Sequence, residues 1–178
     1  MFNILLGARL GLLAGFLLAA VFTDTATRKI PNKLVAAGVI TGLLCQALLP
    51  DGDGLIAALK GMVLGFALFF PLYMLRVMGA GDVKLMAMVG TFTGHQDIIG
   101  IVLSTLLAGG ILSLLFALRL RAVRQLLANL RSIALLAMAK ASKETLATSG
   151  STISSVGTLP YALAIAIGTA GYFIWQIS

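Results

Sequence analysis

Met78-Gly79-Ala80-Gly81-Asp82-Val83-Lys84 separates two apolar runs, residues 55–77 before it and 83–93 after it. The second run is too short for an ordinary membrane span, since a straight crossing takes about 20 apolar residues. Whether it crosses decides the fold, because every later segment changes side with it. The stretch also holds one of only six carboxylates in the 178 residues, standing behind two glycines.

Outward from it, the chain is 60% hydrophobic and 11% charged. A soluble domain carries about 25% charged residues. The apolar residues fall into six segments: 4–22, 34–49, 55–77, 83–93, 98–118 and 159–177. The expected fold is all-α: a polytopic membrane protein, a bundle of six transmembrane helices forming a single domain over residues 1–178. A separate soluble domain of normal size does not fit in the remainder. The net charge of +7 does not point to nucleic acid, because the basic residues cluster at the ends of apolar runs. Cys45 is the one cysteine, which excludes an intrachain disulfide and a cysteine zinc site.

Charge order settles the first segment. No Lys or Arg precedes its apolar run, whereas Arg28, Lys29 and Lys33 follow it. A cleaved signal peptide has the reverse order. With all six segments crossing, one side receives Arg28, Lys29 and Lys33, then Arg76 and Lys84, then Arg119, Arg121, Arg124, Arg131, Lys140 and Lys143. That is eleven of the thirteen basic residues, and it makes this side the cytoplasm. The outer loops at 50–54 and 94–97 hold no Lys or Arg; Arg9 and Lys60 lie near outer ends, where they can snorkel. Both termini are then outside. A re-entrant fourth segment would put the most basic loop on the wrong side, so the charge rule favours a short but genuine span. Its shortness lets water or a thinned bilayer reach Asp82.

Gly7, Gly11 and Gly15 recur every four residues, as do Gly38 and Gly42, and Gly61 and Gly65. Small residues on one helix face allow backbones to approach closely, so three spans are expected to pack through these stripes. In the last cytoplasmic loop, Leu120, Val123, Leu126, Leu127, Leu130, Ile133 and Ala134 follow helical spacing among arginines. This predicts an interfacial amphipathic helix. Residues 142–155 then read as a Ser/Thr/Gly-rich link.

Asp24 follows the first apolar segment by two residues and Asp82 precedes the fourth. Alternation of spans places both at the cytoplasmic boundary. Asp51, Asp53 and Asp97 fall outside and Glu144 in the link. Two carboxyls held together in low dielectric relieve their repulsion by sharing one proton. The ionised one then takes a proton from water while the neutral one polarises a scissile carbonyl. Gly79 and Gly81 leave room for a substrate strand. The competing reading of Asp82 is a helix cap, which costs nothing and needs no chemistry. Lys84 is either an inside-positive charge or a partner for the ionised acid. His95, the only histidine, is expected in an outer loop, which argues against a Ser-His-Asp set or a metal site at the inner face.

Gly79-Ala80-Gly81-Asp82-Val83-Lys84-Leu85 resembles the G-x-G-D-x-K-L motif of the type IV prepilin peptidases. Asp24 followed by Ile30-Pro31-Asn32 resembles their D-x-x-x-x-x-I-P-N segment, and Thr158-Leu159-Pro160-Tyr161-Ala162 with Gly168 is similar to their last helix. The likeness runs over nearly the whole chain in the same order. It implies a bacterial inner-membrane aspartic endopeptidase that removes the basic leader of prepilins and prepilin-like proteins at the cytoplasmic face. Asp24 and Asp82 would be the catalytic pair. Ile30, Pro31, Asn32, Gly79, Gly81 and Lys84 would bind substrate or shape the site. No metal or cofactor is implied. The cysteine-bearing cytoplasmic domain of longer members does not fit here, so a peptidase without methyltransferase activity is expected. Its compact form looks like the enzymes of tight-adherence (Flp) pilus systems, with the archaeal preflagellin peptidases as an alternative. A small proton-coupled transporter and a pilin-binding scaffold without activity are the other readings.

Overall fold

The computed structural model describes residues 2–48, 54–119 and 161–177, and the regular structure in them is all α-helix. The helices are α1 (Phe2–Thr27), α2 (Asn32–Leu48), α3 (Gly54–Met74), α4 (Ala80–Arg119) and α5 (Tyr161–Ile177). Three contain apolar stretches long enough to cross a membrane: Gly7–Thr27, Gly54–Met74 and Ala80–Phe116. Asn32–Leu48 is apolar but shorter. Large apolar side chains such as Leu18, Phe22, Ile56 and Leu107 face outward, as in a protein whose solvent is lipid. The chain forms two compact units, one taking residues up to Gly109 together with α5, the other running from Gly110 to Leu159. Of the second, only residues 110–119, the last turns of α4, are described. The expected interfacial helix and the polar link lie outside the described residues.

Helix α4 joins the expected fourth and fifth segments across one break. Gly94 has φ 75° and ψ −174°, a conformation open to glycine alone among ordinary residues. The expected outer loop at 94–97 is therefore reduced to one residue, and residues 95–97 are already helical. His95 accordingly sits in helix one residue past the break, not in a loop. Two residues before the break, the Phe92 carbonyl accepts the Nε2 of the buried Gln46 of α2 at 3.1 Å.

The first limb of α4, residues 80–93, is the centre of the first unit. Every residue from 85 to 94 is buried. A helix that is apolar all round must be enclosed on all sides, and from residue 85 this limb is. Helix α2 reaches it through Gly38, where a Cβ would collide with Met88, and through Gly42, where it would collide with Thr91 and Phe92. Helix α3 comes closer still: a Cβ on Gly61 would fall on the Gly90 carbonyl, and one on Gly90 on the Gly61 carbonyl. At Gly65 the Met86 carbonyl oxygen lies 2.7 Å from where a Cβ would stand. From α1, Phe16 meets the ring of Phe92 at 6.1 Å.

Helix α1 lies against α2 and α5, and α2 against α3. Its buried face is the stripe Leu13, Leu17, Ala20 and Asp24. Gly7, Gly11 and Gly15 do not pack as expected: among the described residues, a Cβ at any of them would meet nothing within 4 Å. Gly11 and Gly15 each stand two residues before a core leucine, about 200° away around the helix, so they face outward.

Two of the helices end in the same unusual way. Arg28 (φ 55°) follows α1 and Arg76 (φ 57°) follows α3, both in the left-handed region that glycine usually fills. The Arg28 N–H donates to the Asp24 carbonyl at 2.9 Å, which closes α1 with a single bond. At α3, the Val77 N–H reaches the Leu72 carbonyl and the Arg76 N–H the Tyr73 carbonyl, both at 2.9 Å, a Schellman ending. Each arginine costs about 1 kcal/mol of backbone strain relative to glycine.

Candidate active site

Asp24 lies inside α1, not beyond its end. The expected boundary at residue 22 is overrun because the hydroxyls of Thr23, Thr25 and Thr27 donate to carbonyls three or four residues back. Bonded in this way, the threonines satisfy their polar groups without leaving the helix. The extra turn puts Asp24 on the buried stripe with Ala20 and Leu17, and its residue is 8% exposed.

That position has an electrostatic cost. Asp24 stands in the last turn of α1, where the unpaired carbonyls make the helix end negative. The offset comes from another helix. The Ala162 N–H, in the first turn of α5, donates to Asp24 Oδ2 at 3.3 Å. It is one of the four N–H groups that a helix start leaves without an internal partner.

Asp82 has the opposite setting. It is the third residue of α4, and Gly79 precedes the helix. The Gly79 N–H donates to Asp82 Oδ2 at 3.0 Å, while the Asp82 N–H reaches back to the Gly79 carbonyl at 3.2 Å. This is the side-chain half of a capping box. The capping reading of Asp82 thus holds geometrically, in the third position of the helix and not at its cap. It fixes where the carboxyl points. Asp82 is also 8% exposed, and the charge of Asp24 is felt at its carboxyl. Two acids from distant parts of the sequence, one on α1 and one on α4, are therefore both buried and within electrostatic range of each other.

The remaining expected site residues gather around the start of α4. Ile30 packs its side chain on Gly81, with carbons 3.4 Å from where a Cβ would stand. A larger residue at 81 would push on Ile30. The Pro31 carbonyl accepts the N–H groups of Leu34 and Val35 and so starts α2. Asn32 is the first residue of α2, and its Oδ1 accepts the Lys84 ammonium at 3.0 Å. Lys84 thereby ties the 30–32 segment to the 79–84 segment. Asp82 Oδ2 lies 3.3 Å from where a Cβ on Gly79 would stand, so a side chain there would crowd the carboxylate.

The model of the type IV leader peptidase family matches residues 11–114. The chain belongs to that family. It is a peptidase with helices long and apolar enough to cross a membrane. No curated protein and no solved structure matches it. The stretch matched to the leader peptidases contains Asp24, Asp82 and the residues that join them, and it ends before α5.

Sequence reasoning placed Tyr161 and Ala162 in the last-helix likeness but gave neither a role at the site. The signal for Ala162 was present: Pro160 precedes an apolar run, which marks a helix start. A helix start presents free N–H groups. Which acid would take one is a matter of tertiary placement.

Proposed function

We propose that this leader peptidase is an aspartic endopeptidase and that Asp24 and Asp82 are its catalytic pair. The observation that carries the reading is the interacting, nearly buried pair of carboxyls, each held by a backbone N–H at a helix start. With one proton between them, the ionised carboxyl removes a proton from water as the water oxygen bonds to the scissile carbonyl carbon. The neutral carboxyl donates to the carbonyl oxygen. Collapse of the tetrahedral species breaks the C–N bond: the departing amine takes the proton from the first acid, and one hydroxyl of the species returns its proton to the second as the new C=O forms, which restores the pair with one proton. The two acids titrate as a unit, so neither role belongs permanently to one of them.

The substrates are prepilins and prepilin-like proteins, cut between a basic leader and an apolar stem. The site faces the cytoplasm of a bacterial inner membrane, with both termini outside and six spans in one domain. Support for six spans comes from the charge asymmetry and from the single-residue break at Gly94, which divides α4 into two limbs. Ile30, Pro31, Asn32, Gly79, Gly81 and Lys84 shape the entrance, supported by the Lys84–Asn32 and Ile30–Gly81 contacts. The compact form suits Flp-type pilins as substrates.

Asp24→Asn and Asp82→Asn are each expected to lower leader removal from a prepilin in membranes by about 10³-fold or more, the upper range for general acid–base groups. Normal processing by either variant would overturn the assignment.

A further inference from the structure

Helix α5 lies antiparallel to the second limb of α4, and glycines mark three close approaches between them, two of which are tyrosines over glycines. Tyr172 covers Gly100 and Tyr161 covers Gly109, while between them Gly168 sits on the backbone of Thr105. At the outer contact, the Tyr172 hydroxyl also donates to Asp97 at 2.9 Å. The inner contact is the one next to the acids. Tyr161 is the first residue of α5, one peptide before the N–H that holds Asp24. Its ring stands edge-on to the fully buried Phe69 of α3, centroids 6.3 Å apart. Its hydroxyl end fills the space of the missing Gly109 side chain, where a Cβ would be 2.8 Å from Oη and 3.0 Å from Cζ.

We propose that the seat of Tyr161 between Phe69 and Gly109 is a positioning device for the Asp24 carboxylate, acting through the Ala162 N–H. Asp24 lies at the negative end of its own helix, so its orientation depends on that borrowed donor. The donor is placed by the register of α5, and Tyr161 sets the register at the end that matters. A Cβ at Gly109 has no room unless the end of the Tyr161 ring gives way; with Phe69 packed edge-on against that ring, the displacement is passed on to the start of α5, which carries Ala162. The inference rests on Asp24 being catalytic.

The test is the cleavage of a detergent-solubilised prepilin by purified full-length Gly109→Val, Tyr161→Ala, Tyr161→Phe and the double Gly109→Val/Tyr161→Ala, with Asp24→Asn beside them. A displacement of about 1 Å in a catalytic group costs about 100-fold, so Gly109→Val should lose about that much in kcat with KM unchanged. Tyr161→Ala should fall in the same direction. Tyr161→Phe, which keeps the ring in its seat, should stay within about tenfold of wild type, on the same scale of positional sensitivity. The double variant, with room restored, should recover part of the loss suffered by Gly109→Val. Thermal unfolding of each variant separates loss of chemistry from loss of folded protein. A folded Gly109→Val with wild-type kcat, or a loss that ignores the residue at 161, would overturn the proposal. If Asp24→Asn itself cleaves normally, the catalytic reading fails first, and the Gly109 result then bears on packing alone.

Discussion

Helix α1 and the first limb of α4 each carry one acid, and they are built on opposite terms. Helix α1 buries a narrow stripe and turns its glycines outward, where none of the described residues comes within 4 Å of a Cβ position. The first limb of α4 is buried on every side from residue 85 onward, and its backbone touches the backbone of α3. Asp82 sits at the positive start of its own helix and is held by the N–H of Gly79. Asp24 sits at the negative end of its own helix and is held by the start of α5. One acid is locally self-sufficient, and the other depends on tertiary packing. The difference teaches that a symmetric-looking pair can rest on unequal supports, and that the support for Asp24 is the one open to disturbance from a distance.

The largest effect should come from the glycines. Gly61→Leu or Gly90→Leu places a side chain on opposing backbone, which cannot yield as a flexible side chain would. Either should cost about 3 kcal/mol or more in unfolding free energy, at or beyond the usual range for overpacking. Gly11→Leu should stay within about 0.5 kcal/mol, as surface substitutions do. Thermal unfolding in detergent compares them directly. Equal losses at Gly11 and Gly90 would break the contrast between the two helices.

A smaller effect should distinguish the acids themselves. Asparagine keeps an acceptor oxygen at either position but removes the charge. At Asp82 this forfeits a favourable interaction with the helix start, and at Asp24 it removes an unfavourable one with the helix end. Loss of repulsion between the acids is common to both and cancels in the comparison. Asp82→Asn should therefore unfold more easily than Asp24→Asn by about 0.5 kcal/mol. The reverse order would mean that α5 outweighs the dipole of α1, and that the two supports are less unequal than the geometry suggests.

Much of this was legible in the residues. Apolar runs announced the helices, and the glycine pairs 38/42 and 61/65 marked real crossings. The same spacing at 7, 11 and 15 misled, because a stripe of small residues states that a close approach is possible and not that a neighbour is there. The end of α1 was misplaced because Thr23, Thr25 and Thr27 read as polar loop residues, whereas their hydroxyls are bonded back into the helix. The stripe Leu13, Leu17, Ala20, Asp24 was present in the sequence at helical spacing and would have put Asp24 on the core face. The single-residue break at Gly94 could not be told from a loop, since Gly94-His95-Gln96-Asp97 has loop composition. The Ala162 N–H on Asp24 spans 138 positions of sequence and belongs to packing alone.

The central claim is that Asp24 and Asp82 act as one unit across a scissile bond. It is tested most directly by a double-mutant cycle on single-turnover cleavage of a purified prepilin, using Asp24→Asn, Asp82→Asn and both together. Groups that act as a unit are grossly non-additive, so the double variant should be no slower than the slower single one. Multiplying losses, or normal cleavage by either single variant, would contradict the account.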